Sequence, residues 1–490
     1  MNQRIQTWDH QPPAIDRMVN SPSTLLECVM GGGKTYMTIE TIRRCVPRGT
    51  GKVLVLCPAA VVPVWSGEIR KHAPDQFTVV SLSKNLNTTQ KVDAIRDAIG
   101  KQPAVGRPIV IVVNYESAIR KELSEELLRM RYDIVVCDES HRIKCHGTQS
   151  SKLAWKIGQR SDKRIALTGT AMPQGPQDIF AQYRFLDERV FGKFWTHFTR
   201  RYAVFNKYIP QKIDSWMNQD EMAQKIAILR YHIGPEVLVL PERQDIIRTV
   251  SLSPAGMKIY REMEKESIAE IKKQIDSAGV DSSLQSSEGL EQVYTAVGTN
   301  GAVSFLRLLQ LAQGYVTTED KQEVDTDTEK RKLLLELLEE TDEPVCVYGW
   351  FKHDLRVIQD CCNILGKRYG EVSGSRKDLT DAGKYPDNVD VLGVQCKSGG
   401  AGIDLTKARI GILLNSGLMS PGDYDQLMAR QHRPGQTRNV LFYHLVSRGT
   451  VDVKIATARR EKRDVVKELI SLVARGEQMP ETVDEWSEVF

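Results

Sequence analysis

The chain has 490 residues, of which 41% are hydrophobic and 27% charged, with a formal net charge of +4. That length and composition exclude a single small domain and a disordered polymer, and fit two or three domains, each with its own core. The charge is too small for a protein basic over its whole surface, so any nucleic-acid footprint has to be local. None of the nine cysteines forms a CxxC pair, and Cys361 and Cys362 are adjacent. Buried, reduced thiols of a cytosolic protein are the expectation. The start, MNQRIQTWDHQPP, lacks an apolar signal core, and no apolar run reaches the length of a membrane span. A soluble intracellular protein without membrane association is expected.

In chain order, Gln11 comes first, one predicted helix upstream of a glycine-rich loop, where a glutamine amide can both donate to and accept from an adenine edge. The loop itself runs from apolar Leu25 and Leu26 through Gly31, Gly32, Gly33, Lys34 and Thr35 into a helical pattern with Met37, Ile39 and Ile42. A strand that ends in glycines and starts a helix gathers backbone N–H groups and the helix's partial positive charge around one concavity, which suits phosphate. Lys34 can reach terminal phosphates and Thr35 can hold Mg²⁺. Cys28 stands six positions before the lysine, where a small residue is usual. Taken alone, the stretch also reads as a glycine-rich turn.

Apolar strands then alternate with helical patterns. Lys52–Cys57 ends in Pro58, and Pro108–Val113 is followed by Asn114. Tyr132–Cys137 ends in Asp138 and Glu139, and Ile165–Leu167 ends in Thr168, Gly169 and Thr170. Continuous apolar strands with helices between them predict a parallel sheet covered on both faces, whose ligands bind at the strands' carboxyl ends. Asp138 at such a tip can hold Mg²⁺, and Glu139 can deprotonate an attacking water. The plainer alternative for Asp138 is a helix cap. Thr168 and Thr170 read either as turn residues or as a link between nucleotide and a second site.

From Asp187 to about Leu240 the pattern is helical and aromatic; 245–252 resembles a strand, and Pro254–Ile275 an amphipathic helix. Residues 276–290, rich in Ser and Gly, read as a mobile loop, and Val303–Gln313 as an apolar helix. This is helical material inserted between two α/β lobes, or an independent helical domain.

A second α/β series follows: Val345–Tyr348, Val391–Val394, Ile410–Leu414 and Val440–Leu445. Ser398–Thr406 is a glycine-rich loop whose amides can hold a phosphate, which makes Gly402 and Asp404 candidate nucleotide contacts. In QLMARQHRPGQ, Arg430 and Arg433 lie three apart, predicted on one helix face. They read as arginine fingers for a transferring phosphoryl group, or as part of a solvated basic helix. The end of the chain predicts an amphipathic basic helix packed on the core.

The ordered stretches HQPPAI, MGGGKT, LCPAAVVPVW, VNYES, DESH, LTGTAMPQ, YGWF, SGGAGIDLT and QLMARQHRPGQ resemble the Swi/Snf-type family of DNA-dependent ATPases of helicase superfamily two. FLDERVFGKFWTHF and LPERQDIIRTVSLSPAGMKIY are similar to the entries of that family's two helical protrusions. The resemblance implies an α/β fold with two tandem RecA-like lobes, ATP and Mg²⁺ between them, and duplex or branched DNA across both. It implies lobe 1 over 1–186 with a protrusion at 187–240, a linker and second protrusion at 241–325, lobe 2 at 326–458 and a C-terminal helix at 459–490.

By motif, Gln11 would read adenine, Gly31 to Thr35 would hold phosphate and Mg²⁺, Asp138 and Glu139 would hydrolyse, and Arg430 and Arg433 would be fingers. Pro58, Asn114, Lys397 and Ser398 would face DNA, and Thr168, Thr170 and Gln426 would couple the sites. Departures are Gly32 for leucine, Ala171 for proline, Gln174 for asparagine and Asn415 for aspartate. They touch coupling geometry more than hydrolysis. A monomeric motor without accessory modules is expected, cytoplasmic in a bacterium or phage-infected cell and nuclear in a eukaryote. The expected activity is ATP-driven translocation on double-stranded DNA. A strand-separating or branch-migrating helicase, an RNA-dependent ATPase and a non-hydrolysing ATP sensor are the alternatives.

Overall fold

The computed structural model describes residues 7–83, 85–173, 175–206, 213–277, 305–318, 322–380, 383–397 and 403–461. Of the loop expected at 276–290, residues 276 and 277 belong to the helix Pro254–Ser277, and the rest, with the start of the 303–313 helix, Gln174, Ser398, Gly402 and 462–490, lies outside the described residues. The chain divides into two compact units, Met1–Val239 and Leu240–Phe490.

The first unit is built on β1 (Ser23–Cys28), β2 (Lys52–Cys57), β3 (Thr78–Leu82), β4 (Ile109–Asn114), β5 (Ile134–Asp138) and β6 (Lys163–Thr168). A short hairpin, β7 (Ala203–Phe205) and β8 (Ile213–Trp216), precedes β9 (Arg230–Ile233). The main sheet runs β3-β4-β2-β5-β6-β1-β9, and every pairing in it is parallel. Strands β1, β4 and β5 are buried at every residue, which fits helices on both faces and explains the apolar runs of β4 and β5.

The stretch expected to be wholly helical after Asp187 differs from that reading, because β9 joins the main sheet beside β1. Its Arg230 and His232 bond to Glu27 of β1. The aromatic run there folds on itself. The helix Trp195–Tyr202 sets Trp195, Phe198 and Tyr202 one turn apart, and Phe198 lies 5.4 Å from Trp195 and 5.1 Å from Tyr202, ring to ring.

The second unit contains β10 (Arg243–Val250), a hairpin of β11 (Tyr315–Thr317) and β12 (Glu323–Asp325), then β13 (Val345–Gly349), β14 (Tyr369–Val372), β15 (Val391–Gln395), β16 (Ile410–Leu413) and β17 (Val440–Ser447). Its main sheet, β10-β17-β16-β13-β15-β14, is again wholly parallel. Both expected parallel α/β lobes are present.

The β10–β17 junction carries a buried ion-pair cluster in which Asp245 accepts from Arg243 Nε and from His444 Nε2, each at 2.7 Å. The helix Pro254–Ser277 follows β10, and the helix Val451–Arg460 packs on β17. All nine cysteines are free thiols. Among the described residues no helix is long and apolar enough to cross a membrane.

Candidate active site

The glycine loop joins β1 to the helix Lys34–Cys45. Gly31 and Gly33 take φ of 82° and 87°, a region that only glycine enters without strain. Gly33 opens the helix without a side-chain cap, leaving the first-turn N–H groups for another acceptor. A Cβ at Gly32 would overlap Cys28 Sγ, so the glycine at 32 and the larger residue at 28 go together. Lys34 Nζ lies back across the loop and donates to Cys28 O at 2.8 Å.

The segment before the sheet brackets this loop. Gln11, buried at the start of the helix Gln11–Asn20, accepts the Trp8 N–H on Oε1 at 3.1 Å. Its Nε2 faces Gly33 where a Cβ would strike it. His10 Nε2 donates to Gly32 O at 2.9 Å. Gln11, the three glycines, Lys34 and Thr35 therefore belong to one neighbourhood, with His10 added.

At the tip of β5, Asp138 Oδ2 accepts the Trp65 indole N–H at 2.8 Å, and Oδ1 accepts the Glu139 N–H at 3.0 Å. The Tyr115 hydroxyl donates to Asp138 O at 2.7 Å. Burial and the neighbouring Glu139 charge push the Asp138 carboxyl up to about 6, against the Trp65 bond and the charge of Lys34. Glu139 sits at φ 50°, a left-handed conformation that costs a non-glycine residue about 1 kcal/mol. Its Oε2 lies 3.4 Å from His141 Nδ1.

A glycine cradle, a lysine acting on a buried carboxylate and a threonine in the helix's first turn fit a Mg²⁺–nucleotide. Among the described residues no three His, Cys, Asp or Glu side chains cluster to hold a metal. Mg²⁺ at such sites keeps waters and takes one or two protein oxygens plus phosphates; here those oxygens would be Thr35 and Asp138.

Other candidates of this unit line the same carboxyl edge. Pro58 caps the short turn Ala59–Val61 after β2. Asn114, at the end of β4, donates from Nδ2 to Glu116 Oε2 at 2.8 Å, and Glu116 Oε1 accepts from Arg142 at 3.0 Å. Thr168 Oγ1 donates to Thr170 O at 2.8 Å and accepts the Thr170 N–H at 3.1 Å, so that hydroxyl is used within its own turn.

In the second unit, Lys397 Nζ stands 4.4 Å from the centre of the Trp350 ring, after β15. Asp404 Oδ1 accepts from the Thr406 hydroxyl at 2.7 Å. Gln426 is half-buried on the helix Pro421–Met428. Asn415 Oδ1 accepts the Gly417 N–H at 2.8 Å.

The expectation that Arg430 and Arg433 share a helix face is corrected, since that helix ends at Met428 and both lie in the turns beyond. Pro434 disfavours helix at the residue before it, and Gln431 is drawn into the core. Arg430 is buried and its carbonyl accepts the Leu405 N–H at 3.0 Å; Arg433, more open, donates to Ile403 O at 3.4 Å. Both arginines are thus tied to the described end of the second glycine-rich loop.

The sequence reading missed His10, Trp65, Tyr115 and Gln431. Only HQPP beside Gln11 hinted at the first; the others act through contacts between residues far apart in the chain.

Residues 15–297 match the family described as SNF2-related domain. The DNA repair and recombination protein RDH54 of Saccharomyces cerevisiae is 25% identical over an alignment covering 91% of this chain and 49% of that protein. The ISWI chromatin-remodeling complex ATPase ISW2 of the same yeast is 25% identical, with 93% and 40% covered. This chain therefore spans half the length or less of these two relatives. Among solved structures, the Sulfolobus solfataricus SWI2/SNF2 ATPase core in complex with dsDNA is 21% identical at a TM-score of 0.40, with 96% of this chain and 93% of that one covered.

Proposed function

The chain belongs to the SNF2-related domain family, and from that premise we propose that it is an ATPase whose hydrolysis is stimulated by double-stranded DNA and coupled to movement along the duplex. The observation that carries the reading is the gathering of Gln11, His10 and Lys34 on one glycine cradle, with the charge of Lys34 acting on Asp138. DNA as the partner is supported by the names of the yeast relatives, a DNA repair and recombination protein and a chromatin remodeller.

In this reading Gln11 holds the base, and the loop amides and Lys34 hold the phosphates. Thr35 and Asp138 would hold Mg²⁺, which would supply charge neutralisation to the phosphates. Glu139 takes the proton of the attacking water, aimed from a backbone that Asp138 and Tyr115 fix. Arg430 and Arg433 stabilise charge on the transferring phosphoryl group in the closed state, and reopening after hydrolysis resets the grip on DNA. Pro58, Asn114, Lys397 and Ser398 contact the DNA backbone, so binding is salt-sensitive and nearly independent of sequence. Apart from β9 and β10, which belong to the two main sheets, the stretch 187–240 is assigned as the protrusion of the first lobe and 241–325 as the linker and the protrusion of the second.

The test is the steady-state ATPase rate with no polymer, single-stranded DNA, duplex, branched DNA and RNA. Duplex is expected to stimulate most, and Glu139→Gln to lower the stimulated rate about 100-fold or more. RNA stimulating more than duplex, or Glu139→Gln hydrolysing like wild type, overturns the reading. Displacement of a labelled strand from a fork would replace translocation by strand separation.

A further inference from the structure

Ala171, the residue after the Thr168–Thr170 turn, is buried, and the side chains of Glu27 and Gln182 hold both its backbone groups. Its N–H donates to Glu27 Oε1 at 2.9 Å, and its carbonyl accepts from Gln182 Nε2 at 2.7 Å. Gln182 Nε2 donates as well to Asp178 O at 2.8 Å, which fixes the amide on its own helix, and Gln182 Oε1 accepts the Ser140 hydroxyl at 2.6 Å. Ser140 follows Glu139 directly. Glu27 precedes Cys28 and the phosphate loop, and its second oxygen takes Arg230 and His232 of β9. A continuous hydrogen-bonded path thus runs from the strand behind the phosphate loop, through the Thr168–Ala171 turn, to the residue beside Glu139.

Gln182 and Ser140 are both 0% exposed. A primary amide buried to that degree is unfavourable unless its donors and acceptor are met, and a leucine of similar size would fill the space without that demand. Here the amide is satisfied by two separate loops at the carboxyl edge of the sheet, in surroundings where such bonds are strong.

We infer that Gln182, acting with Ser140 and Glu27, is a positioning residue that transmits the state of the Thr168–Ala171 turn to Glu139. The inference rests on the DNA-stimulated ATPase reading above. If the path is real, cutting it at either neutral link has the same effect, and cutting both adds nothing.

Wild type, Ser140→Ala, Gln182→Leu and the double variant are compared for the ratio of duplex-stimulated to basal ATPase rate, the KM for ATP and the thermal midpoint. Each variant is expected to lose about tenfold in stimulation ratio with KM within about twofold of wild type. The double variant is expected to be no worse in ratio than Gln182→Leu, while its midpoint recovers part of the loss because the hydroxyl left alone is gone. Should Gln182→Leu fail to fold, Ser140→Ala carries the test. A stimulation ratio that recovers along with the midpoint in the double variant, losses that add, or variants stimulated like wild type overturn the inference alone. A wild type that duplex does not stimulate overturns the ATPase reading and this inference together.

Discussion

Gln182 in the first unit and Gln431 in the second are both 0% exposed and both lie beneath candidate functional loops. Gln431 Oε1 accepts the Tyr348 hydroxyl at 2.6 Å, and its Nε2 donates to Ala408 O and Ile410 O, each at 3.0 Å. Those bonds tie the segment between Arg430 and Arg433 to β13 and to the entry of β16. Gln182, by contrast, bonds to two loops, the Ser140 turn and Ala171. The same side chain, equally buried, thus makes a platform in one unit and a link in the other; its partners decide which.

The largest effect that separates the units is expected at Arg433. If Arg433 is a finger and the first unit holds the nucleotide, as proposed, Arg433→Ala should lower the duplex-stimulated kcat about 1000-fold while the KM for ATP stays within about twofold, because a finger acts on the transition state. An equal rise in KM would place Arg433 in ground-state binding. Gln431→Leu comes next. Leaving Tyr348 Oη and two carbonyls without their partner should destabilise the second unit by roughly 3 kcal/mol, read as a lower calorimetric transition. It should also lower kcat about tenfold by misplacing Arg430 and Arg433. The ratio of stimulated to basal rate should hold, unlike in Gln182→Leu. If both glutamine variants lose that ratio alike, the distinction between platform and link fails.

A smaller effect concerns acid stability. Burial would raise the Asp245 carboxyl, but the bonds from His444 and Arg243 and the charge of Arg243 outweigh it and hold it at about 2. A carboxyl lower in the folded than in the unfolded chain contributes stability above its unfolded value, near 4, and loses it as pH falls toward 2. The side chain is 1% exposed, so solvent screens little of this. Asp245→Asn should therefore lower the second unit's stability at pH 7 by about 2 kcal/mol. Calorimetry should find its difference from wild type shrinking as pH falls from about 4 toward 2. The smallest stability effect is Glu139→Gly, which relieves the left-handed conformation and should stabilise the first unit by about 1 kcal/mol, read as a higher calorimetric transition.

The central strands and the carboxyl edge were legible because a strand buried on both faces reads as an unbroken apolar run, as in KVLVLC and PIVIVV. The two short hairpins β7–β8 and β11–β12 were missed, and the main-sheet strands missed with them, β3, β9 and β14, all lie at sheet edges. Each is only partly buried, so TVVSL, RYHI and YGEV carry no such run. The glycine loop, Asp138 and Glu139 were legible from local spacing. The end of the helix before Arg430 was not, since it depends on Gln431 finding partners in β13 and near β16. Nor was the path through Gln182, whose Ser140 partner lies 42 residues away in the chain.

Displacement of a third strand from a DNA triplex tests most directly whether hydrolysis drives movement along the duplex. Wild-type protein with ATP is expected to release the third strand and leave the duplex paired, while Glu139→Gln with ATP, or wild type without nucleotide, leaves the triplex intact. Release by Glu139→Gln equal to that of wild type, or no release by a wild type that hydrolyses ATP on the same substrate, would contradict the account.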